Sequence, residues 1–356
     1  MKESGIVEDT KRRKRKINWF IGVDVSKCTL DYAVIQNDKL LFHHQGLNSK
    51  PDVERFIKEL KALPQFSMAA AIFCMEAMGT YGNHLMRTVQ KLHGKIAAVN
   101  PLIIKNFLGL TRGKNDKDDA IRIAQYAQKN INELKFWKPE RPPLQELKTL
   151  FTLRERMLTT SVALKTPLGE LEGFVPATLI KQCRRLSSKT IDSIQMDISG
   201  IESRITDILK NDEELDRLTS IVESVPGVGR ITSLLILITT NEFRDISSAK
   251  KFACYTGVAP FRNESGEVVR KARISHFANK KMKSLLHLCA LSALRFDTEL
   301  KVYFERKTLV ESKPRLLVIN SVRYKIINRI FTCVRQNRMF EKESFGIKKL
   351  TAAESN

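Results

Sequence analysis

Short apolar segments typical of β-strands fill the first third of the chain. Five strands are predicted, at residues 18–25, 29–36, 40–46, 68–75 and 95–99. Turn residues at 37–39 join two of the first three segments, which predicts an antiparallel meander. The fourth segment is apolar throughout, as expected for a strand that is buried on both faces.

Apolar residues at a spacing of three and four predict helices between and after these strands. Pro51 opens the first helix, and three more are predicted at residues 81–92, 101–108 and 116–129. Three strands followed by alternating helices and strands is the element order of an α/β RNase H-like domain, which we assign to residues 18–135. In that layout the first and fourth strands are neighbours in the sheet.

The remainder of the chain is predominantly helical in pattern. Residues 136–220 predict two long helices in a coiled-coil hairpin, interpreted as a spacer and dimerisation region, with an intramolecular helical bundle as the alternative. Residues 221–340 predict a mostly α C-terminal domain with helices around residues 243–256, 280–294, 302 and 319–334. Residues 1–17 and 341–356 are expected to be tails.

The charge balance changes this picture because it points to a polyanionic partner. Lys and Arg number 61 against 39 Asp and Glu, a net charge of +22 over 356 residues. Nucleic acid is the simplest such partner; a soluble protein that is merely basic is the alternative. The block of basic residues at 11–16 is either a phosphate-binding arm or a solvated tail.

Cysteine spacing and hydropathy exclude other classes of protein. The six cysteines include no CxxC pair, which argues against a zinc site or a disulfide framework and fits a reducing cytosol. The longest apolar stretch, residues 231–240, is too short to span a bilayer, and the polar N-terminus does not match a signal peptide. We expect a cytoplasmic protein with no membrane partner.

Four carboxylates in three segments are the strongest chemical signal, and we call them the acidic tetrad: Asp24, Glu76, Asp116 and Asp119. A charge inside an apolar strand is unfavourable unless it is paired or bound to a metal. Asp24 and Glu76 would lie on adjacent strands, and the i,i+3 spacing of Asp116 and Asp119 puts them on one helix face. The four could therefore converge around Mg²⁺ or Mn²⁺. Taken singly, each acid could instead cap a helix or favour its N-terminus, the role we assign to Asp118.

Two features of the C-terminal domain are candidates for contact with nucleic acid. The turn at residues 225–230 has a PGxG pattern before an apolar helix, which resembles a helix-hairpin-helix that binds phosphate through backbone N–H groups; a simple helix-joining turn is the alternative. Residues 259–267 predict a polar loop that contains Ser265 among basic residues. Without further context a serine there is a turn residue.

These segments together resemble one family, the DEDD transposases of bacterial insertion sequences, specifically the insertion-sequence-one-ten family of bridge-RNA-guided recombinases. The resemblance spans residues 18–296. The motifs are IGVDVSK at 21–27, EAMGTY at 76–81, VNP at 99–101, KNDKDDA at 114–120, VPGVG at 225–229, YTGVAP at 255–260 and SG at 265–266. The sequence departs from the family pattern at Asn115 and at Ala278-Asn279, which bears on local turns, and its basic N-terminal extension lies outside that pattern.

The resemblance implies a RuvC-like catalytic domain in which the acidic tetrad binds metal, and Ser265 as the nucleophile. It implies DNA strand exchange through a phosphoserine intermediate, with a noncoding bridge RNA, a homodimer or tetramer, and a bacterial, nucleoid-associated location. A nuclease that activates water with the tetrad is the alternative, and a noncatalytic nucleic-acid-binding protein is a third reading.

Overall fold

A computed structural model describes residues 17–77, 79–108, 115–259, 261–265, 268–273 and 278–342, with the backbone alone for the two short segments 261–265 and 268–273. The chain divides into two compact units, Met1–Pro139 and Glu140–Asn356. No helix within the described ranges is long and apolar enough to cross a membrane.

The first unit is built on a five-stranded mixed sheet. Its strands are β1 (Trp19–Val25), β2 (Thr29–Gln36), β3 (Lys39–Leu47), β4 (Ala71–Glu76) and β5 (Lys95–Val99). They lie in the order β3-β2-β1-β4-β5, with β1 antiparallel to β2 and parallel to β4. The predicted meander is therefore confirmed, and so is the prediction that the first and fourth strands are neighbours.

Helices cover both faces of this sheet because its central strands are apolar on both sides. The four helices are α1 (Lys50–Ala62), α2 (Asn83–Lys91), α3 (Pro101–Leu108) and α4 (Asp116–Lys129). One core joins Trp19, Ile21 and Val23 of β1 to α1 and α2. The other joins the intervening β1 residue Phe20 to the alanine-rich face of α4. Alternation along β1 thus assigns its even-numbered residues to the α4 face.

Gly22 lets α4 lie close against the sheet. A Cβ at this position would be 2.1 Å from the carbonyl oxygen of Ala120 and 2.3 Å from the backbone nitrogen of Ala124. Only glycine accommodates that approach. The contact fixes the first turn of α4 near the end of β1.

The second unit begins with two long antiparallel helices, α5 (Pro142–Glu170) and α6 (Ala177–Asn211). Then come α7 (Glu213–Glu223), α8 (Arg230–Thr240), α9 (Ala249–Tyr255), β6 (Phe261–Ser265), β7 (Val268–Arg273), α10 (Lys280–Phe296), α11 (Thr298–Glu305), a π-helical turn (Arg306–Val310) and α12 (Arg315–Gln336). A single apolar core joins one end of the long helices to α7–α12.

Three local predictions were wrong. Residues 259–267 are not simply a loop, because Phe261–Ser265 pairs with Val268–Arg273 in an antiparallel hairpin. The helix predicted around residues 243–256 begins only at Ala249. The fourth strand begins at Ala71, after a 3₁₀ turn over Met68–Ala70.

Candidate active site

Asp24 and Glu76 occupy equivalent places on neighbouring strands. The parallel β1–β4 pairing ends at Val23 and Met75, and the two acids follow one residue later. Since Val23 and Met75 belong to the α1–α2 core, alternation directs Asp24 and Glu76 to the α4 face. Both residues are half-buried. The two carboxylates therefore lie at the carboxyl ends of two inner strands, on the side of the sheet that α4 covers.

The other two acids of the tetrad stand in the first turn of α4. Asn115 caps this helix, and its side-chain oxygen accepts a hydrogen bond of 3.1 Å from the backbone N–H of Lys117. The cap fixes where the helix begins. Asp116 and Asp119 then lie on one face of the helix, with Asp116 exposed and Asp119 half-buried.

Electrostatics link α4 to the end of β1. The pKa of Asp24 is raised, first by burial and then by the negative charges of Asp116 and Asp119. A backbone hydrogen bond from Val25 opposes this shift, and Asp31 adds to it. Folding thus concentrates negative charge at one point of a strongly basic chain, where a bound cation would relieve the repulsion.

Glu76 is placed by the sheet register, one strand from Asp24. Its charge acts on the neighbouring thiol of Cys74, whose pKa burial and Glu76 together raise to about 12. Cys74 is buried in the α4 face of the sheet. Asp24, Asp116 and Asp119 are therefore linked electrostatically. Glu76 lies at the same end of the sheet, on the strand next to that of Asp24.

The donor atoms fit a hard divalent cation, although the side chains do not form a closed ligand shell. Carboxylate oxygens are the ligands that Mg²⁺ prefers. In the described part of the chain, no three His, Cys, Asp or Glu side chains are grouped closely enough to hold a metal ion. Arg122 Nη1 instead donates a 2.8 Å hydrogen bond to Asp119 Oδ1. Metal binding by Asp119 would require it to exchange this partner.

Sequence reasoning missed a fifth carboxylate, Asp31. This residue faces Asp24 across the β1–β2 ladder and is only 4% exposed. Its Oδ1 lies 3.0 Å from His43 Nε2, and Gln45 Nε2 donates to both carboxylate oxygens at 3.1 and 3.2 Å. The available signal was a charge inside the apolar run of β2, the same signal that identified Asp24.

Ser265 is the last residue of β6, where it pairs with Val268. It therefore stands at the tip of the β6–β7 hairpin. Gly266 and Glu267 lie outside the described residues, and so does the Ser265 side chain. Its assignment as a nucleophile stays a prediction.

Hydrogen bonds anchor the chain segments that precede and follow this hairpin. Asn320 Nδ2 donates to the carbonyl oxygen of Val258 at 2.7 Å, and the backbone N–H of Asn279 donates to the carbonyl oxygen of Tyr255 at 2.9 Å. Asn279 also caps α10 by accepting from the N–H of Met282. The chain segments on each side of the hairpin are therefore anchored to α9, α10 and α12.

The predicted PGxG turn joins α7 to α8. Gly227 has a φ of +87°, and a Cβ there would be 2.4 Å from the carbonyl oxygen of Cys289 and 2.7 Å from the backbone nitrogen of Ala293. Glycine is required by both the backbone angle and the close contact with α10. The role of this turn in phosphate binding stays a prediction.

Comparisons with known proteins cover both units. A DEDD transposase model described as "Transposase" matches residues 21–171, and a model described as "Transposase IS116/IS110/IS902 family" matches residues 219–305. Together they cover about two thirds of the chain.

Full-length relatives agree with these matches. The pilin gene-inverting protein of Moraxella bovis is 26% identical over 334 residues, covering 91% of this chain and 98% of its own. The transposase for insertion sequence element IS1111A of Coxiella burnetii is 22% identical over 309 residues, covering 80% of each chain. Similarity therefore extends over at least 80% of this chain and of each relative.

Proposed function

Since this chain belongs to the IS116/IS110/IS902 transposase family and is a DNA transposase or site-specific recombinase, we propose that its acidic tetrad binds Mg²⁺ or Mn²⁺ and that Ser265 attacks the DNA backbone. The single observation that carries the metal proposal is the placement of Asp24 and Glu76 at the paired ends of β1 and β4, on the face that α4 covers. The charges of Asp116 and Asp119 in the first turn of α4 help burial to raise the pKa of Asp24, which agrees with this placement. A site that accumulates like charge during folding, with oxygen donors only, suits a divalent cation.

The tetrad residues have distinct parts in this proposal. Asp24 and Glu76 would hold the ion from the ends of β1 and β4, and Asp116 and Asp119 would hold it from the capped first turn of α4. When bound, the ion would stabilise charge on the oxygens of the scissile phosphate. We regard the first unit as a RuvC-like, RNase H-like catalytic domain, which its sheet order supports.

The proposed transfer step conserves the phosphodiester. The Ser265 hydroxyl oxygen bonds to phosphorus, a deoxyribose oxygen leaves with a proton, and the serine proton passes to a base or to water. The resulting phosphoserine ester is later attacked by a deoxyribose hydroxyl of the recipient strand, which restores Ser265. The number of phosphoester bonds is unchanged, so no nucleotide hydrolysis is needed.

The proposed partners are DNA, a noncoding bridge RNA and further copies of this chain. The net charge of +22 supports polyanionic partners. Exposed apolar side chains near the distal end of the α5–α6 pair support a dimer or tetramer formed through this region: Phe174 is 86% exposed and Leu186 is 76% exposed. The family likeness supports the RNA.

Strand cleavage and covalent trapping by single variants test the proposal. With Mg²⁺ present, Asp24→Ala and Glu76→Ala should abolish cleavage on a gel while binding of DNA and RNA survives. Ser265→Ala should abolish the protein–DNA adduct. If nicking persists in Ser265→Ala, the tetrad activates water and the protein acts as a metal-dependent nuclease; if Asp24→Ala retains cleavage, the metal site is wrong.

A further inference from the structure

A cavity of about 780 Å³ opens between α9, α11 and α12 in the second unit. Its walls combine apolar surface with lysine, tyrosine and asparagine side chains. The side chains used below are Lys250, Tyr303, Asn320, Tyr324, Lys325 and Asn328. A cavity of this size accommodates a molecule as large as a nucleotide.

The walls are positively charged. Lys250 and Lys325 both line the cavity, none of the described lining residues is acidic, and neither lysine forms an ion pair within the described ranges. Lys325 Nζ lies 4.7 Å from the centre of the Tyr303 ring, so its charge is held over an aromatic face rather than by a carboxylate. An anionic ligand would supply the missing counter-charge.

A buried guanidinium, that of Arg323, contacts Asn320 of the cavity wall without itself lining the cavity. Arg323 is 9% exposed, and its Nε has no hydrogen-bond partner. Its Nη1 donates weakly to Asn320 Oδ1 at 3.4 Å, and its Nη2 lies 2.5 Å from His287 Nδ1. No carboxylate of the described chain pairs with it, and burial lowers its pKa. A buried cation without a counter-ion favours an anion nearby.

The remaining walls offer flat surfaces and hydrogen-bonding groups. Tyr324 is 38% exposed, and its ring is available for stacking. Asn320 is anchored through its bond of 2.7 Å to the carbonyl oxygen of Val258. The side chain of Asn328 forms no hydrogen bond within the described ranges, so its amide can both donate to and accept from a base edge.

We propose that this cavity binds one unpaired nucleotide of the nucleic-acid partner, with the phosphate on Lys250 and Lys325 and the base stacked on Tyr324. The inference rests on the proposed function, since it assumes a nucleic-acid substrate or guide. The cavity selects a nucleotide outside a duplex, because a base pair hides the edge that Asn328 would contact. The unpaired nucleotide could come from DNA or from RNA, because both carry the phosphate and base that these walls contact.

Fluorescence of 2-aminopurine tests the inference in the full-length protein. Single-stranded DNA and RNA carrying this base, and the matching duplexes, are titrated separately. Stacking of 2-aminopurine on Tyr324 should quench the emission of 2-aminopurine. Tyr324→Leu should remove the quenching and weaken single-strand affinity about fivefold or more. Tyr324→Phe keeps the ring and should behave like the wild type.

A second pair of variants tests the phosphate contact without altering the core. Lys250→Ala should weaken single-strand binding more than Lys301→Ala, which removes another exposed lysine, in α11, from outside the cavity. Quenching in the DNA arm, the RNA arm or both identifies the source of the nucleotide.

Unchanged binding by both Tyr324→Leu and Lys250→Ala, or equal quenching with duplexes, would overturn the inference. In that case wild-type cleavage with Mg²⁺ would show that the proposed function survives. A wild-type protein that binds neither strands nor duplexes would instead contradict the proposed function itself.

Discussion

Asp24 and Asp31 face each other across the antiparallel β1–β2 ladder, on the side of the sheet that α4 covers. Like charges directly opposite each other are unfavourable in a sheet. Asp31 is held by His43 and Gln45, whereas Asp24 also meets the charges of Asp116 and Asp119. The repulsion between like charges therefore acts on Asp24, which makes this residue sensitive to a nearby cation.

Replacing Asp24 by Asn should stabilise the metal-free protein at neutral pH. The pKa of Asp24 in the folded protein is raised above the ordinary value of 3.8. As pH rises, Asp24 therefore loses its proton at a lower pH in the unfolded chain than in the folded protein. Ionisation of Asp24 therefore lowers the free energy of unfolding above its folded pKa and has no effect below the unfolded value. In EDTA, Asp24→Asn should melt above the wild type at pH 7.5, by a margin that shrinks toward pH 4.

Magnesium should reverse the order of the melting temperatures of the wild type and Asp24→Asn. It should raise the melting temperature of the wild type by binding the folded state, but not that of Asp24→Asn, and cleavage by the variant should fall about a hundredfold or more. Asp118→Asn is the matched control, because this exposed acid shares the first turn of α4 but is not among the charges that shift Asp24. Equal effects of the two substitutions would contradict the site.

Asp31→Asn should weaken the binding of Mg²⁺ without eliminating activity. The amide keeps one oxygen for Gln45 or His43 but removes a charge opposite Asp24. Asp31 acts on Asp24 through its charge, and changes in groups just outside the ligands typically alter metal affinity about 10- to 100-fold. The Mg²⁺ concentration for half-maximal cleavage should rise at least about tenfold. Asp38→Asn, beyond the far end of β2, should leave it unchanged; a parallel shift there would indicate a general charge effect.

The sequence predicts the first unit well because its strands carry their own signal. Buried runs such as β4 and charged interruptions such as Asp24 are visible without knowing the partners. Asp31 shows the same interruption, yet its role depends on His43 and Gln45, which only the β2–β3 register brings beside it. The neighbouring positions of Asp24 and Glu76 at the ends of β1 and β4 could be predicted, whereas the surroundings of Asp31 could not.

Tertiary contacts explain the two main errors in the second unit. The helix predicted from residue 243 is broken because Asn241, Glu242 and Phe243 all have left-handed φ values of 50°, 55° and 62°. Glu242 is held there by Arg141, which lies a hundred residues earlier in the chain. The β6–β7 hairpin contains many charged residues, so its strands are defined by pairing with each other rather than by an apolar pattern.

Gly22→Ala should damage both stability and catalysis. The added Cβ would be 2.1 Å from the Ala120 carbonyl oxygen, and backbone atoms cannot rotate away as a side chain can. Helix α4 must shift from the sheet, carrying Asp116 and Asp119 away from Asp24. We expect a loss of about 1–3 kcal/mol in the free energy of unfolding, measured by urea denaturation, and reduced cleavage at saturating Mg²⁺.

Gly200→Ala is the control for this substitution. Gly200 lies inside α6 with open space around the position of a Cβ, so alanine should stabilise the helix by about 1 kcal/mol. A Gly22→Ala protein with wild-type stability would show that α4 does not need its close contact with β1.

Two arginines of α12, Arg323 and Arg329, are both at least nine-tenths buried. Removing the charge should lower the free energy of unfolding at Arg329 but not at Arg323. Arg329 pairs with Asp297 at 2.6 Å and with Glu299 at 2.7 Å, and Asp297 also caps α11. Arg329→Met leaves the Asp297 carboxylate buried with one bond lost, which should lower the free energy of unfolding by about 3–5 kcal/mol. Chemical denaturation of the full-length protein measures this.

Arg323→Met should not lower the free energy of unfolding, because Arg323 has no carboxylate partner to leave behind and its Nε is already unsatisfied. Methionine fills a similar volume and removes the penalty of burying a charge. The same substitution should weaken binding of single-stranded nucleic acid. A destabilisation as large as that of Arg329→Met would mean that the contacts of Arg323 with Asn320 and His287 support the fold, and that its charge is not reserved for an anion.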